Sequence, residues 1–210
     1  MAYKTEQEEF WAGDFGEEYL VRNDGQELLA SNLAFFARAL RGAGKIKSVA
    51  EFGANIGMNQ RALEVIYPCL ERFAIEINKS ASEKLKTLIG DDNVYNGSIF
   101  DYNFEKQYQL SLIRGVLIHI EPSMLEVVYQ KLYDASNQYI LLIEYYNPTP
   151  VEVPYRGHAG KLYKRDFAGE MMDKYPDLRL LDYGFGYHRD PSLNNMVDDS
   201  TWFLMEKTKV

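Results

Sequence analysis

Short apolar runs alternate along this chain with longer stretches in which apolar side chains return every three or four residues, a pattern that predicts strands interleaved with amphipathic helices. A first helix is expected over 5–21, where Phe10, Trp11, Phe15, Tyr19 and Leu20 make a partial stripe that Gly13 and Gly16 weaken. A second, capped by Asn23 or Asp24, runs to about 41 with Leu28, Leu29, Leu33, Phe36, Ala37 and Leu40 on one face, and stops at Gly42-Ala43-Gly44. Strands are then expected near 46–52, 72–77, 93–95, 109–113 and 139–145. Helices separate them, one from Gly57 to before Pro68, one from Ser80 or Ser82 to Gly90, and one from Pro122 through Leu125, Val128, Tyr129 and Leu132. The run 139–145 is apolar almost throughout, as a central parallel strand is. A long loop over 147–162, a helix over 165–174 and two strands over 178–187 and 201–206 complete the chain.

Strands that alternate with helices build a doubly wound parallel sheet, the α/β class. The two closing strands have no helix between them and so form a hairpin at one sheet edge, where a nicotinamide-binding sheet goes on alternating. The 210 residues hold no repeat and no linker-like stretch, so one domain is expected, with a helical N-terminal part over 1–43 and an α/β core over 44–210.

Charge and cysteine usage narrow the partners. A formal charge of −8 argues against a broad nucleic-acid surface, which needs a basic stripe. No apolar run approaches the length of a membrane span, so no membrane partner is expected. The polar, acidic opening is unlike a signal peptide, and the single Cys69 leaves no disulfide framework and no multi-cysteine metal site; together these set an expectation of the cytoplasm. Basic residues gather late, at Arg156, His158, Lys161, Lys164 and Arg165. They form either a solvated face or a pocket for an anionic small molecule.

The most informative stretch is Glu51-Phe52-Gly53-Ala54-Asn55-Ile56-Gly57, which closes the first strand and opens a helix. A nucleoside lying across strand ends needs close backbone approach, hence glycine, and an acid at the end of the second strand for the ribose diol. Gly53 and Gly57 meet the first need, and Asn55 tolerates a left-handed backbone. Glu76 meets the second, with Ile77 beside it. Counted from Gly53, the dinucleotide pattern Gly-x-Gly-x-x-Gly finds Asn55 and Met58 at its later positions and fails twice. Glu51 would repel a pyrophosphate and instead suits the sulfonium and ammonium of S-adenosylmethionine, directly or through water. Taken alone, the glycines also suit a plain strand-to-helix turn; Glu76 lifts the pattern above that. After the third strand, Ser98 and the backbone of Ile99 are placed for the adenine edge, with Ile77 and Ile99 as walls.

The expected reaction is therefore methyl transfer, an in-line displacement that depends on positioning. A hydroxyl acceptor gains from a general base, and histidine is the usual one near neutral pH. His119 follows the fourth strand, as base or as a packing residue; His158 lies in the long loop; His188, beyond the sixth strand, sits on the same rim or, the favoured reading, in an exposed turn. That loop, with Tyr146, Tyr155, Arg156, His158 and Lys161, reads as a substrate wall. Arg156, Lys161 and Arg114 suit a carboxylated or phosphorylated acceptor, and Arg114 also stands among the cofactor residues at its strand end. That strand end offers no acids for a metal, so none is expected.

On these residues the chain resembles the class I S-adenosylmethionine-dependent methyltransferases and, more narrowly, the methylases associated with pseudaminic acid biosynthesis. The narrower resemblance rests on Glu9-Phe10-Trp11-Ala12-Gly13-Asp14-Phe15-Gly16 with Tyr19 and Arg22-Asn23, and on Arg114-Gly115-Val116-Leu117-Ile118-His119-Ile120. It rests further on the run from Glu144 through His158, on Lys164-Arg165-Asp166-Phe167-Ala168-Gly169-Glu170, and on Asp199-Ser200-Thr201-Trp202-Phe203-Leu204. It implies a seven-stranded sheet in the order 3-2-1-4-5-7-6 with an antiparallel last strand. It also implies N-terminal helices that lid the cofactor, placing Trp11, Tyr19 and Arg22 near the methionine end. The acceptor it implies is a nonulosonic acid or a sugar nucleotide leading to one. A protein or peptide acceptor, or a nucleoside-binding partner module without activity, stands as the alternative.

Overall fold

The computed structural model describes residues 3–22, 25–194 and 198–208; the side chains of residues 19, 21 and 22 fall outside the description, as do the caps expected at Asn23 and Asp24. The N-terminal helical stripe is two helices, α1 (Glu6–Ala12) and α2 (Asp14–Arg22), not one. Gly13 between them is extended (φ −95°, ψ −155°), and its freedom breaks the run that the stripe alone made continuous. Thr5 caps α1 in a capping box with Glu8. Helix α3 (Gln26–Ala39) follows.

The alternation expected from the apolar runs is present. Strand β1 (Ser48–Phe52) leads to α4 (Met58–Ile66), β2 (Glu71–Glu76) to α5 (Lys79–Ile89), and β3 (Val94–Asn96) to β4 (Tyr108–Arg114). Helix α6 (Leu125–Ala135) then returns the chain to β5 (Ser136–Glu144). The cap of α5 is Asn78, whose Oδ1 accepts from the N–H of Ala81 at 2.9 Å, rather than Ser80 or Ser82, which lie inside the helix. The long loop is not irregular throughout. Its ends pair as a small antiparallel ribbon, β6 (Val151–Glu152) with β7 (Tyr163–Lys164), and two-residue strands leave too little period for a sequence pattern to show. Helix α7 (Phe167–Lys174) and the hairpin of β8 (Leu178–Gly186) and β9 (Ser200–Lys207) end the described chain.

Seven strands form one sheet in the order β3-β2-β1-β4-β5-β9-β8, with β9 antiparallel to both β5 and β8. Allowing for the small ribbon, this is the expected order. The period-two alternation of the buried strands divides the core. Ile140 and Leu142 of β5 pack with Leu132 of α6 and Met171 of α7, whereas Leu141 and Ile143 pack with Phe36 of α3 and Leu63 of α4. With helices on both faces, the site falls at the carboxyl ends of the parallel strands, where β1 and β4 diverge to opposite sides.

Candidate cofactor and acceptor site

A cavity of about 470 Å³ opens at those strand ends, within the range of small-molecule sites. Its floor is the turn after β1. Gly53 (φ +73°) and Gly57 (φ +84°) are left-handed, as is Asn55 (φ +50°) between them. A Cβ on Gly53 would sit 2.6 Å from Cγ2 of Val116, so the first glycine is required by space as well as by backbone angle.

Glu76 ends β2 in the cavity wall and is 6% exposed. One carboxylate oxygen accepts from the backbone N–H of Asn55 at 2.6 Å and the other from that of Asn78 at 2.7 Å. Burial raises its pKa above the usual carboxylate value, against the pull of these donors. Ile77 and Ile99 line the cavity as expected. Ser98 does not join them: its Oγ accepts from the N–H of Phe100 at 3.0 Å and closes the turn.

Glu51 stands one layer behind the wall. Its oxygens accept from the side-chain amides of Asn59 (2.7 Å) and Gln60 (2.8 Å), and burial pushes its pKa up to about 7. In front of it, Arg114 donates to Oδ1 of Asn32 (2.8 Å) and of Asn59 (3.0 Å), with its guanidinium 5.1 Å from the Phe35 ring. Asn32, Asn59 and Arg114 all line the cavity, so Glu51 reaches it through Asn59.

At the turn after β4, His119 is 6% exposed, with ring centroids 4.7 Å from Trp11 and 4.9 Å from Tyr155. Its Nδ1 lies 2.6 Å from the carbonyl oxygen of Lys161, and burial drops its pKa to about 4. A carbonyl only accepts, so Nδ1 carries the hydrogen and Nε2 is left as an acceptor. Glu144, at the end of β5, escaped the sequence reading as a site residue. Its carboxylate accepts from the N–H groups of Val116 (3.0 Å), Leu117 (3.0 Å) and Ile118 (3.4 Å), and burial pushes its pKa up to about 7. It thereby holds the turn that carries His119. An acid closing an apolar strand was the available signal, the same one that marked Glu76. Glu8 of α1 also lines the cavity and was missed; it read as one of several acids in a polar opening.

The substrate wall divides. Tyr155 and Arg156 line the cavity, Arg156 at its junction with an outer depression. His158 and Lys161 line only that depression, beside Phe10 and Phe15, where Lys161 pairs with Glu6 at 3.2 Å. The structure thus does not bring His158 together with His119. Tyr146 is exposed and packs on Phe203 at 5.8 Å, outside the cavity. Trp11 lines the cavity; the Tyr19 and Arg22 side chains expected with it lie outside the described residues. His188 pairs with Asp199 at 2.9 Å in an exposed turn. Among the described residues no cluster of three or more His, Cys, Asp or Glu side chains is placed to hold a metal, and no helix is long and apolar enough to cross a membrane.

No family model matches the chain, and no curated protein matches it. Solved structures do. The 1,6-didemethyltoxoflavin-N1-methyltransferase of Burkholderia thailandensis, holding its substrate and S-adenosylhomocysteine, is 13% identical with a TM-score of 0.72 over 100% of this chain and 92% of that one. The magnesium protoporphyrin IX methyltransferase of Synechocystis PCC 6803, with S-adenosylhomocysteine bound, is 10% identical with a TM-score of 0.68 over 96% of this chain and 98% of that one. A mitomycin 7-O-methyltransferase is 14% identical with a TM-score of 0.65 over 99% of this chain, which spans 62% of that enzyme. The chain therefore has the fold of the class I S-adenosylmethionine-dependent methyltransferases.

Proposed function

We propose that this protein is an S-adenosylmethionine-dependent methyltransferase that methylates oxygen or nitrogen on a small anionic acceptor, such as a nonulosonic acid or a sugar nucleotide leading to one. The observation that carries the cofactor reading is Glu76. Two backbone N–H groups fix its carboxylate in the cavity wall at the end of β2, each oxygen keeping lone-pair capacity for one hydroxyl of a ribose diol. The rest of the site fits the same group. The side-chain-free Gly53 lets the left-handed turn pass close against Val116 at the cavity floor, Ile77 and Ile99 offer flat apolar walls, and Oδ1 of Asn55 is buried without a partner.

When bound, the sulfonium supplies an electrophilic methyl group and leaves as a neutral thioether. The chain's own residues position the acceptor and exclude water. Glu51 balances Arg114 through Asn59 and keeps that end of the cavity from being strongly positive. Trp11 closes the methionine end. Trp11 and Tyr155 wall the acceptor space, and His119 Nε2 accepts a hydrogen bond from the nucleophile and aims its lone pair. A ring with a pKa of about 4 is a weak proton sink, so His119 acts mainly by orientation, and the acceptor's proton passes to bulk water once the methyl group has transferred. Arg156 at the mouth supplies the charge that favours an acid; His158 and Lys161 serve the approach rather than the chemistry.

Support for an acidic sugar comes from Arg156 and from the resemblance to pseudaminic acid-associated methylases. The test is a panel of free acidic sugars, their nucleotide forms and neutral sugars, with methylated product read by mass. Turnover confined to acidic members, with Arg156→Ala raising KM about tenfold and sparing kcat, supports the reading. Binding of S-adenosylmethionine without turnover of any acidic member overturns the acceptor.

A further inference from the structure

Helix α1 carries an acid with one oxygen unpartnered. Glu8 is 7% exposed, and its Oε2 accepts from the backbone N–H of Lys4 at 2.6 Å and of Thr5 at 3.2 Å. Its Oε1 is buried, has no hydrogen-bond partner, and belongs to a side chain in the cavity wall. A buried carboxylate oxygen without a donor is costly, so it marks a place where a ligand supplies one.

The ligand group follows from location. Lys4, whose backbone Glu8 holds, pairs through Nζ with Asp101 at 2.5 Å, which puts the start of α1 against the turn after β3. That turn supplies Ile99 and Phe100 to the cavity beside Thr5 and Glu8. It is the adenine end of the proposed cofactor site, whose methionine end is assigned to Asn32 and Arg114. Of the acids beside that turn, Asp101 is half-exposed and paired with Lys4, whereas Glu8 Oε1 is buried and has no donor. We infer that Glu8 Oε1 accepts from the exocyclic amine of adenine, an inference that rests on the cofactor reading and makes a lid residue the reader of the base. Base recognition and closure of α1 are then one event.

The test compares S-adenosylhomocysteine with its hypoxanthine analogue, which presents a carbonyl where adenine presents the amine. Binding of each is measured by calorimetry to wild type, Glu8→Gln and Thr5→Ala. Wild type should favour the adenine form by at least about tenfold, because the hypoxanthine carbonyl would face an acceptor. Glu8→Gln, which offers an amide N–H, should shrink or invert that preference. Thr5→Ala weakens the α1 cap but keeps the carboxylate, so it should retain the preference even if both affinities fall. An undiminished preference in Glu8→Gln overturns the role of Glu8 and leaves the cofactor reading standing; wild type that binds neither nucleoside overturns both.

Discussion

His119 Nδ1 lies 2.6 Å from the carbonyl oxygen of Lys161, so the turn after β4 is tied to the segment that enters β7 by a ring that lines the cavity. This bond fixes the tautomer and leaves Nε2 as an acceptor, the group the proposed mechanism turns to the nucleophile. His119→Ala is therefore expected to lower kcat by about tenfold to a hundredfold with S-adenosylhomocysteine affinity unchanged. NMR titration of the ring should find it neutral with hydrogen on Nδ1 until the pH nears about 4. A midpoint near the ordinary histidine value would contradict the burial.

Gly53→Ala tests the floor of the site. The new methyl would stand 2.6 Å from Val116 at a φ of +73°, so a stability loss of about 1–3 kcal/mol is expected by urea unfolding. Adding Val116→Ala should return the part due to the clash and leave the part due to the backbone. Full recovery would place the whole cost in packing.

Most of the fold was legible because its signals are long. The apolar run of β5, the stripes of α3 and α6, and the closing strands without a helix carry the α/β class and the terminal hairpin, and the strand order came with the family resemblance. The misses have short-range causes. Gly13 breaks a helix that its neighbours' apolar spacing continues, and β6 and β7 are too brief to show a period. The left-handed turn at Gly53, Asn55 and Gly57 and the acid that ends β2 in the cavity wall were readable because backbone geometry limits the residue types there. Ser98 is less legible: a hydroxyl near a strand end serves a turn as readily as a ligand, and the turn is the role its bond from Phe100 shows. Glu8 and Glu144 were hidden because burial, which makes them consequential, is a property of the folded chain.

The buried acids set a pH dependence of stability. Glu144 is held at a pKa of about 7, above its unfolded value, so the folded state binds the extra proton. Its contribution is full below the unfolded pKa and is lost as pH rises through about 7. Glu51 acts in the same direction, whereas His119, lowered to about 4, favours the folded state as pH rises to the ordinary histidine range. The difference between proteins isolates one group. Glu144→Gln should gain stability relative to wild type as pH goes from about 5 to about 8, read from urea midpoints without ligand. A constant difference would mean that Glu144 is already ionised across that range.

On the proposed cofactor reading, Glu76 gives ligand binding a pH dependence as well. Both hydroxyls of a ribose donate best to an ionised carboxylate, and burial raises the pKa of this one. S-adenosylhomocysteine should bind more tightly as pH rises from mildly acidic to neutral, with proton release measurable as a buffer-dependent enthalpy. Glu76→Gln should remove that buffer dependence.

The most direct measurement is isothermal titration of the wild type and Glu76→Ala with S-adenosylmethionine, S-adenosylhomocysteine and NAD. The cofactor assignment predicts about micromolar binding of the first two to wild type, weakened at least about tenfold in Glu76→Ala, and no binding of NAD. Binding of NAD alone, or equal binding of S-adenosylhomocysteine to both proteins, would contradict it.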